Sequence, residues 1–186
     1  MAKETKMHIL RGFSQLLDHN DFDKITVTML VEKCNISRQT FYYHFADIQA
    51  LINWGVQQYT HGCMETAKNA KDMKEATIIY LNEIEKNKLF LKKCLSSSLG
   101  QYMTKLIRNS IIEYSTEFYY RSIKTEYARA DIAQFIIEFT ANGVAGFILS
   151  HMLDDDKVDI KDLAEKMYDC VFSRLANGNT PSGSNE

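Results

Sequence analysis

Only one proline, Pro181, and eight glycines occur in the 186-residue chain. Proline and glycine are the residues that most disfavour the helix interior, so a chain this poor in both can be helical along nearly all of its length. Apolar residues also recur at helical spacing, beginning with Ile9, Phe13 and Leu16. No alternating strand pattern persists. The sequence therefore predicts an all-α protein.

The charge of the chain excludes a general polybasic surface. The 22 basic and 24 acidic residues give a formal net charge of −2 at pH 7, and the first 50 residues carry six of each kind. Any DNA contact there must come from a few placed side chains. No run reaches the ~18 apolar residues of a membrane span, and the N-terminus lacks the apolar core of a signal peptide. We expect a cytoplasmic protein without membrane contact.

The spacing of reactive residues gives no sign of a catalytic or metal site. The four cysteines form no CxxC pair, and the five histidines lack ligand spacing. Buried thiols in a reducing compartment are the simpler explanation for the cysteines. Nucleophile elbows and phosphate-binding loops are also missing from the sequence. We expect no metal, no cofactor and no enzymatic activity.

Two short helices and a tight turn are predicted between residues 26 and 45. Thr26 is a suitable N-cap for the first of them. Cys34-Asn35-Ile36-Ser37 then forms the turn, in which Asn35 can adopt a left-handed conformation and Ser37 can cap the next helix. Two short helices joined in this way form a helix-turn-helix.

The second of these helices contains an unusual row of polar residues. Residues 37–45 read Ser-Arg-Gln-Thr-Phe-Tyr-Tyr-His-Phe. Phe41 and Phe45 lie one helical turn apart and would anchor the helix in the core. A core helix does not need the polar side chains, whereas a helix lying on DNA does. A solvated charge is the ordinary alternative for Arg38.

Further helices are predicted after Asp47, which can cap a long fourth helix. The remaining segments lie around residues 76–88, 89–95, 99–123, 131–153 and 159–175. This pattern predicts a helix-turn-helix domain over residues 1–46, a larger helical domain over residues 47–176, and a flexible tail over residues 177–186.

The order of motifs over residues 5 to about 55 resembles the DNA-binding domain of TetR-family transcriptional regulators. The string comprises Ile25-Thr26-Val27, Cys34-Asn35-Ile36-Ser37 and Thr40-Phe41-Tyr42-Tyr43-His44-Phe45, and it ends in Asp47 and Leu51. The rest of the chain resembles the family only in helix number and length. The resemblance implies a three-helix DNA-binding domain followed by an effector-binding and dimerisation domain of about six helices. It also implies a homodimer and a double-stranded DNA operator.

By this resemblance, Arg38, Gln39 and Thr40 lie within reach of base edges. Arginine suits guanine, glutamine suits adenine, and threonine suits a phosphate or a thymine methyl group. The complete predicted DNA-binding set is Thr26, Thr28, Ser37, Arg38, Gln39, Thr40, Tyr42, Tyr43 and His44.

Within that set, Tyr42, His44, Thr26 and Thr28 match family positions that contact phosphates. A purely structural role is the alternative for His44. For Tyr43, the ring can pack on the first helix while the hydroxyl faces the DNA backbone.

Two positions depart from the family pattern. Ile48 stands where a basic, phosphate-contacting residue is usual, and Asn35 stands where the turn usually has glycine. The first change removes an electrostatic contact, while the second preserves the backbone conformation at modest cost. We expect DNA binding to need the dimer and to depend only weakly on salt for this family.

The resemblance places the dimer interface in the last two apolar helices. The predicted interface residues are Phe139, Gly143, Phe147, Met167 and Val171. Small residues around Gly143 would allow two helices to approach closely. An ordinary intrachain core is the alternative for these helices.

Aromatic residues are concentrated in the middle of the chain and could line a pocket for a small apolar or aromatic effector. The candidates are Trp54, Tyr59, Tyr80, Tyr102 and Phe118. Aromatic residues at helical spacing also commonly belong to the core, and that alternative stays open.

The leading hypothesis is a dimeric regulator on a pseudo-palindromic operator, released or re-set when an effector shifts the fourth helix. Family members of this kind are typically repressors, but the sequence leaves open the sign of regulation. A second hypothesis is a regulator switched by a protein partner, with no small-molecule effector. The TetR-type activators of dihydroxyacetone kinase operons carry the same Arg-Gln-Thr-Phe-Tyr-Tyr-His-Phe string and respond to a protein coactivator. A purely structural helical adaptor would not explain Arg38, Gln39 and Thr40.

Overall fold

The computed structural model describes residues 2–122, 130–153 and 159–169. Within these ranges all regular structure is helical, which confirms the predicted fold class. The helices are α1 (Ala2–His19), α2 (Val27–Cys34), α3 (Arg38–His44), α4 (Ile48–Ala67), α5 (Met73–Lys86), α6 (Lys88–Leu95), α7 (Gly100–Ser122), α8 (Ala130–Leu153) and α9 (Ile160–Met167). A 3-10 turn, Phe22–Lys24, lies between α1 and α2. None of the described helices is long and apolar enough to span a membrane.

Side-chain caps start the early helices at the predicted residues. Thr26, Ser37 and Asp47 each accept a hydrogen bond from the backbone N–H three residues later, at 3.3, 2.9 and 2.7 Å respectively. Each cap satisfies an N–H group that has no partner within its helix. The first residue of α2, of α3 and of α4 is therefore fixed by a bond that spans only a few residues.

The turn between α2 and α3 has the backbone conformation expected at Asn35. Its φ and ψ angles are 50° and 49°, in the left-handed region, and no other non-glycine residue in the described ranges has a positive φ. The N–H groups of Asn35 and Ile36 donate to the carbonyl oxygens of Glu32 and Val31, at 3.2 and 3.0 Å. These bonds satisfy the carbonyl groups at the end of α2.

The chain divides into two compact units. Unit 1 comprises Met1–His61 and Asn87–Ser110, and unit 2 comprises Gly62–Lys86 and Ile111–Glu186. The helices α4 and α7 therefore contribute residues to both units. The functional boundary predicted near residue 47 stays a prediction, because these units reflect packing rather than role. The predicted tail, residues 177–186, lies outside the described residues.

The core of unit 1 is closed by residues that are far apart in sequence. Phe13, Phe41 and Leu51 are fully buried in one apolar cluster, and Phe45 is almost so, as predicted for the two phenylalanines of α3. Cys94 of α6 and Met103 of α7 belong to the same cluster and are also fully buried. The three helices of the helix-turn-helix region therefore do not contain a complete core of their own.

Polar contacts attach α6 and the segment before α7 to the end of α1 and to the connection that follows it. The ammonium group of Lys93 donates to the backbone oxygens of Leu17 and Asp18, at the C-terminal end of α1. A cation is favourable there because it meets carbonyl groups that have no helical partner. The carboxylate of Asp23 accepts hydrogen bonds from the backbone N–H and the hydroxyl of Ser98, at 3.1 and 2.6 Å.

Gly12 permits the close approach of α1 to α2. A Cβ atom at this position would lie 2.3 Å from Cys34 Sγ, far inside normal contact distance. The same approach brings a ring nitrogen of His8 to 2.9 Å from the backbone oxygen of Cys34.

We predict that Gly12→Ala lowers the free energy of unfolding by about 1–3 kcal/mol, the usual cost of overpacking a core. Cys34→Ala removes the sulfur that the new methyl group would meet. The cost of Gly12→Ala should therefore largely disappear in a Cys34→Ala background. Urea unfolding of the wild type, both single variants and the double variant measures this coupling.

Gly62 of α4 provides the control, because a Cβ atom added there would meet nothing within 4 Å. Gly62→Ala should stabilise the protein by roughly 0.5–1 kcal/mol through helix propensity alone. An equal cost of Gly12→Ala with and without the Cys34 sulfur would contradict the close-approach explanation.

Candidate DNA interface

The two sides of α3 differ sharply in burial. Successive residues of a helix are separated by about 100° around its axis, so Arg38, Gln39, Tyr42 and Tyr43 share one face. All four are exposed, whereas Phe41 on the opposite side is fully buried. The buried side holds α3 in unit 1 and leaves a polar and aromatic face free to meet a ligand.

Hydroxyl groups organise the start of α3. Ser37 Oγ accepts the backbone N–H of Thr40 and lies 2.8 Å from the Thr40 hydroxyl. The guanidinium group of Arg38 donates through Nη2 to the hydroxyl of Thr28 on α2. Four of the predicted DNA-binding residues are therefore linked in two pairs, one within α3 and one between α2 and α3.

The aromatic residues near the end of α3 are presented to solvent to different degrees. Tyr42 and Tyr43 are 55% and 82% exposed, and His44 is half-buried. The ring of Tyr43 therefore does not pack on α1, the alternative that its sequence left open. It lies edge-on to the His44 ring, with 5.0 Å between the ring centroids.

Lys6 of α1 contributes a contact that the sequence did not indicate. Its ammonium group lies 5.2 Å from the Phe45 ring centroid and 5.6 Å from that of Trp54, within the range of a cation–π interaction. The two rings are 5.8 Å apart. Lys6 and Trp54 thus hold the end of α3, and no local sequence pattern could have paired residues so distant in the chain.

Ile48 and the ion pair between Lys24 and Asp21 both limit the electrostatic attraction of this region to DNA. Ile48 is partly buried against the core of unit 1, so it stabilises packing where a basic residue is usual in the family. Lys24 is paired with Asp21 at 2.7 Å, and both side chains are exposed. The hydrogen bond from Lys24, followed by its charge, lowers the pKa of the Asp21 carboxyl. Neither position therefore adds an unpaired positive charge to this part of the chain.

The candidate effector residues whose side chains are described belong to both units. Trp54 and Tyr102 pack against the core of unit 1, and Tyr59, also in unit 1, is 44% exposed. Tyr80 belongs to unit 2. The side chain of Phe118 lies outside the described part of the structure.

Tyr80 lines a small cavity inside unit 2, with a volume of about 30 Å³. The other lining residues are Thr77, Leu81, Ile111, Tyr114, Ser115, Thr140, Val144 and Met167. The rings of Tyr80 and Tyr114 are 4.4 Å apart, and the Tyr114 hydroxyl donates to the backbone oxygen of Ala76 at 2.7 Å. Burial raises the pKa of the Tyr114 phenol, with smaller contributions from Cys63 and Tyr80.

The predicted dimer residues are distributed over two environments. Phe139 and Phe147 of α8 are 73% and 52% exposed, and a Cβ atom at Gly143 would meet nothing within 4 Å. Phe135, at 66% exposure, stacks on Phe139 and extends this apolar stripe. Met167 instead lines the cavity of unit 2, and Val171 lies outside the described residues.

The opposite side of α8 is buried. Ala141, Ala145 and Ile148 are at most 3% exposed and face the interior of unit 2. An intrachain core therefore accounts for this side of the helix, but not for Phe139 and Phe147.

Both halves of the chain match known protein families. Residues 9–53 match the family described as bacterial regulatory proteins, tetR family. Residues 71–173 match the family described as transcriptional regulator C-terminal region, in its TetR_C_8 form. No curated protein sequence matches the chain.

Solved structures share the fold over nearly the whole chain. The dihydroxyacetone kinase operon activator DhaS is similar with a TM-score of 0.76 at 15% identity, covering 95% of this chain and 98% of that one. A TetR transcriptional regulator from Streptococcus agalactiae 2603V has a TM-score of 0.65 at 21% identity, with 91% and 94% covered. The TetR family repressor AlkX from Dietzia sp. strain DQ12-45-1b has a TM-score of 0.57 at 15% identity, with 92% and 95% covered. At these identities, the likeness shows a shared fold alone.

We predict that Tyr114→Phe lowers the free energy of unfolding by about 0.5–1.5 kcal/mol, the usual net value of one buried hydrogen bond. The pKa of Tyr114 is raised above its ordinary value of 10.0, so the folded state holds the proton more tightly than the unfolded state. This contribution is complete below pH ~10 and is lost as the pH rises above it.

Chemical unfolding at neutral pH and near pH 10.5 measures both effects. The difference between the wild type and Tyr114→Phe should shrink at the higher pH. Tyr42→Phe, at an exposed position, is the matched control and should leave stability unchanged at neutral pH. A wild-type advantage that grows with pH would contradict the assignment.

Proposed function

The chain belongs to the TetR family of bacterial transcriptional regulators, and we propose that it acts in the cytoplasm as a homodimer on a pseudo-palindromic DNA operator. In this proposal α3 is the recognition helix, and an effector bound in unit 2 releases or re-sets the protein.

The exposed face of α3 is the observation that carries the proposal. Phe41 and Phe45 are buried and fix the helix, while Arg38 and Gln39 point away from the core with Tyr42 and Tyr43 beside them. An arginine and a glutamine on a rigid helix match the hydrogen-bonding edges of guanine and adenine in the major groove. The two tyrosine hydroxyls and the caps at Thr26 and Ser37 supply neutral phosphate contacts, which suits a region with no excess of bases.

A dimer through α8 explains the apolar stripe on that helix. Phe135, Phe139, Gly143 and Phe147 recur every four residues, and the small residue between the aromatic ones would let a second copy of α8 approach closely. Self-association of the same surface gives a two-fold symmetric dimer, and thus two recognition helices for two half-sites.

The cavity of unit 2 is the proposed effector site. Its described walls combine apolar side chains with the hydroxyl groups of Thr77, Tyr80, Ser115 and Thr140, and none of these described lining residues is charged. We therefore propose an uncharged effector with an apolar or aromatic body. A volume of about 30 Å³ holds only one or two water molecules, so the effector would have to select a more open state of the surrounding helices.

The small cavity also favours a second candidate, a regulator switched by a protein partner. The structural similarity to the dihydroxyacetone kinase operon activator DhaS supports the same alternative. A thermal-shift screen with small uncharged molecules distinguishes the two candidates. Ligands that raise the Tm of the wild type but not of a Tyr80→Ala variant favour the effector, and a broadly silent screen favours the partner.

We predict that Arg38→Ala and Gln39→Ala each weaken operator binding by about 1–3 kcal/mol and broaden sequence preference, because each removes one base-reading group. Selection of bound DNA from a random pool, followed by affinity measurements on the enriched site, tests this. Gln101→Ala, at an exposed position of α7, is the control and should bind like the wild type. An unchanged sequence preference in both α3 variants would overturn the recognition-helix assignment.

We predict that Phe139→Glu and Phe147→Glu shift the protein from dimer to monomer, at a cost of at least about 2 kcal/mol per dimer. A charge buried in an apolar interface would be left without a partner. Sedimentation equilibrium gives the dissociation constant directly. Leu89→Glu replaces an exposed apolar residue of α6 and should leave the constant unchanged; an equal shift in all three variants would argue against an interface on α8.

A further inference from the structure

The side chain of Arg38 is held before any DNA is bound. Its Nη2 group donates to the hydroxyl of Thr28, ten residues earlier and on the preceding helix. Thr28 is β-branched, so its side chain has few rotamers and its hydroxyl is a stiff acceptor. Arg38, the residue of α3 predicted to contact a base, is therefore hydrogen-bonded to a residue of α2.

The contact with Thr28 leaves the base-reading capacity of Arg38 intact. A guanidinium group has five N–H donors, and this contact uses one of them. Within the described ranges, no carboxylate forms an ion pair with Arg38 that would neutralise its charge. Enough donors remain for the two parallel hydrogen bonds that an arginine forms with guanine O6 and N7.

The hydroxyl oxygen of Thr28 has a different partner from those of Thr26 and Ser37. Thr26 and Ser37 use their oxygens to cap α2 and α3. The oxygen of Thr28 instead accepts from the longest side chain on the exposed face, and that side chain would otherwise sample many rotamers. Holding a long side chain in place before binding reduces the entropy that binding must remove.

We infer that Thr28 is a positioning residue for sequence recognition, which acts by holding Arg38 rather than by contacting phosphate. This inference rests on the proposed DNA-binding function. Thr28 and Arg38 would then act together in sequence recognition. Thr28 would affect the preference at the base pair that Arg38 contacts, without contacting that base pair itself.

The two roles of Thr28 predict different measurements. A phosphate contact contributes equally to every DNA sequence, so its loss weakens binding uniformly. A positioning residue contributes only where Arg38 meets its base, so its loss relaxes preference at one base pair of each half-site. Thr28→Val removes the hydroxyl and keeps the shape, and Thr28→Ser keeps the hydroxyl.

The experiment first selects a preferred site for the full-length wild type from random DNA. Affinities are then measured for that site and its single-base variants with the wild type, Thr28→Val, Thr28→Ser, Arg38→Ala and the Thr28→Val/Arg38→Ala double variant. Tyr42→Phe, which removes an exposed hydroxyl of α3, is the comparison for a simple phosphate contact. Thermal unfolding of each variant verifies that it is folded.

We expect Arg38→Ala to reduce discrimination at one base pair by roughly 5- to 150-fold. Thr28→Val should reduce discrimination at the same base pair by about 3- to 10-fold, a part of the same effect. The double variant should be no worse than Arg38→Ala alone, and Thr28→Ser should restore the wild-type preference.

A uniform loss of affinity in Thr28→Val, like that of Tyr42→Phe, would overturn the inference in favour of a phosphate contact. Additive losses in the double variant, or an unchanged preference in Thr28→Val, would also overturn it. A wild type that enriches no two-fold-related site would instead overturn the proposed function, and the inference with it.

Discussion

The burial of Phe41 is the interaction on which the DNA-reading surface depends. With that ring fully buried, α3 is fixed in rotation, and the residues on its other side have to face outward. Phe41 belongs to the same apolar cluster as Cys94 and Met103, from α6 and α7. The core that holds the proposed recognition helix thus includes residues of helices that contribute nothing to its exposed face.

The first 50 residues have no excess of basic over acidic side chains, so each polar contact that they offer to DNA would have a larger share of the proposed function. Ile48 is partly buried against the core where the family usually has a basic, phosphate-contacting residue, and the exposed Lys24 is paired with Asp21. In the proposed function, such a surface would gain little from nonspecific attraction to the DNA backbone, and its preference for a sequence would rest on hydrogen-bond geometry. Preorganised side chains would contribute most to affinity on such a surface, because long-range attraction would not compensate for hydrogen bonds that are poorly aligned.

Features determined by neighbouring residues could be predicted from the sequence, and those determined by distant ones could not. The caps at Thr26, Ser37 and Asp47 and the left-handed turn at Asn35 follow from chemistry within a few residues, and the structure has them all. The contacts of Lys93 with the end of α1 and of Asp23 with Ser98 join residues about 75 positions apart. Burial patterns indicate that helices pack, but they do not specify which polar groups meet when they do.

The division of unit 1 into two segments of the chain has a consequence for biosynthesis. The first segment, ending at His61, leaves the ribosome without Cys94 and Met103, so its apolar cluster stays open to solvent. At a translation rate of ~5–20 residues per second, the second segment is complete roughly 2–10 seconds later, when Ser110 has been added. During that interval Phe13 and Phe41 lack part of their cover, and the nascent chain presents the apolar surface that chaperones bind. The residues of unit 2 that lie between the two segments thus lengthen the time for which the newly made chain is vulnerable to aggregation.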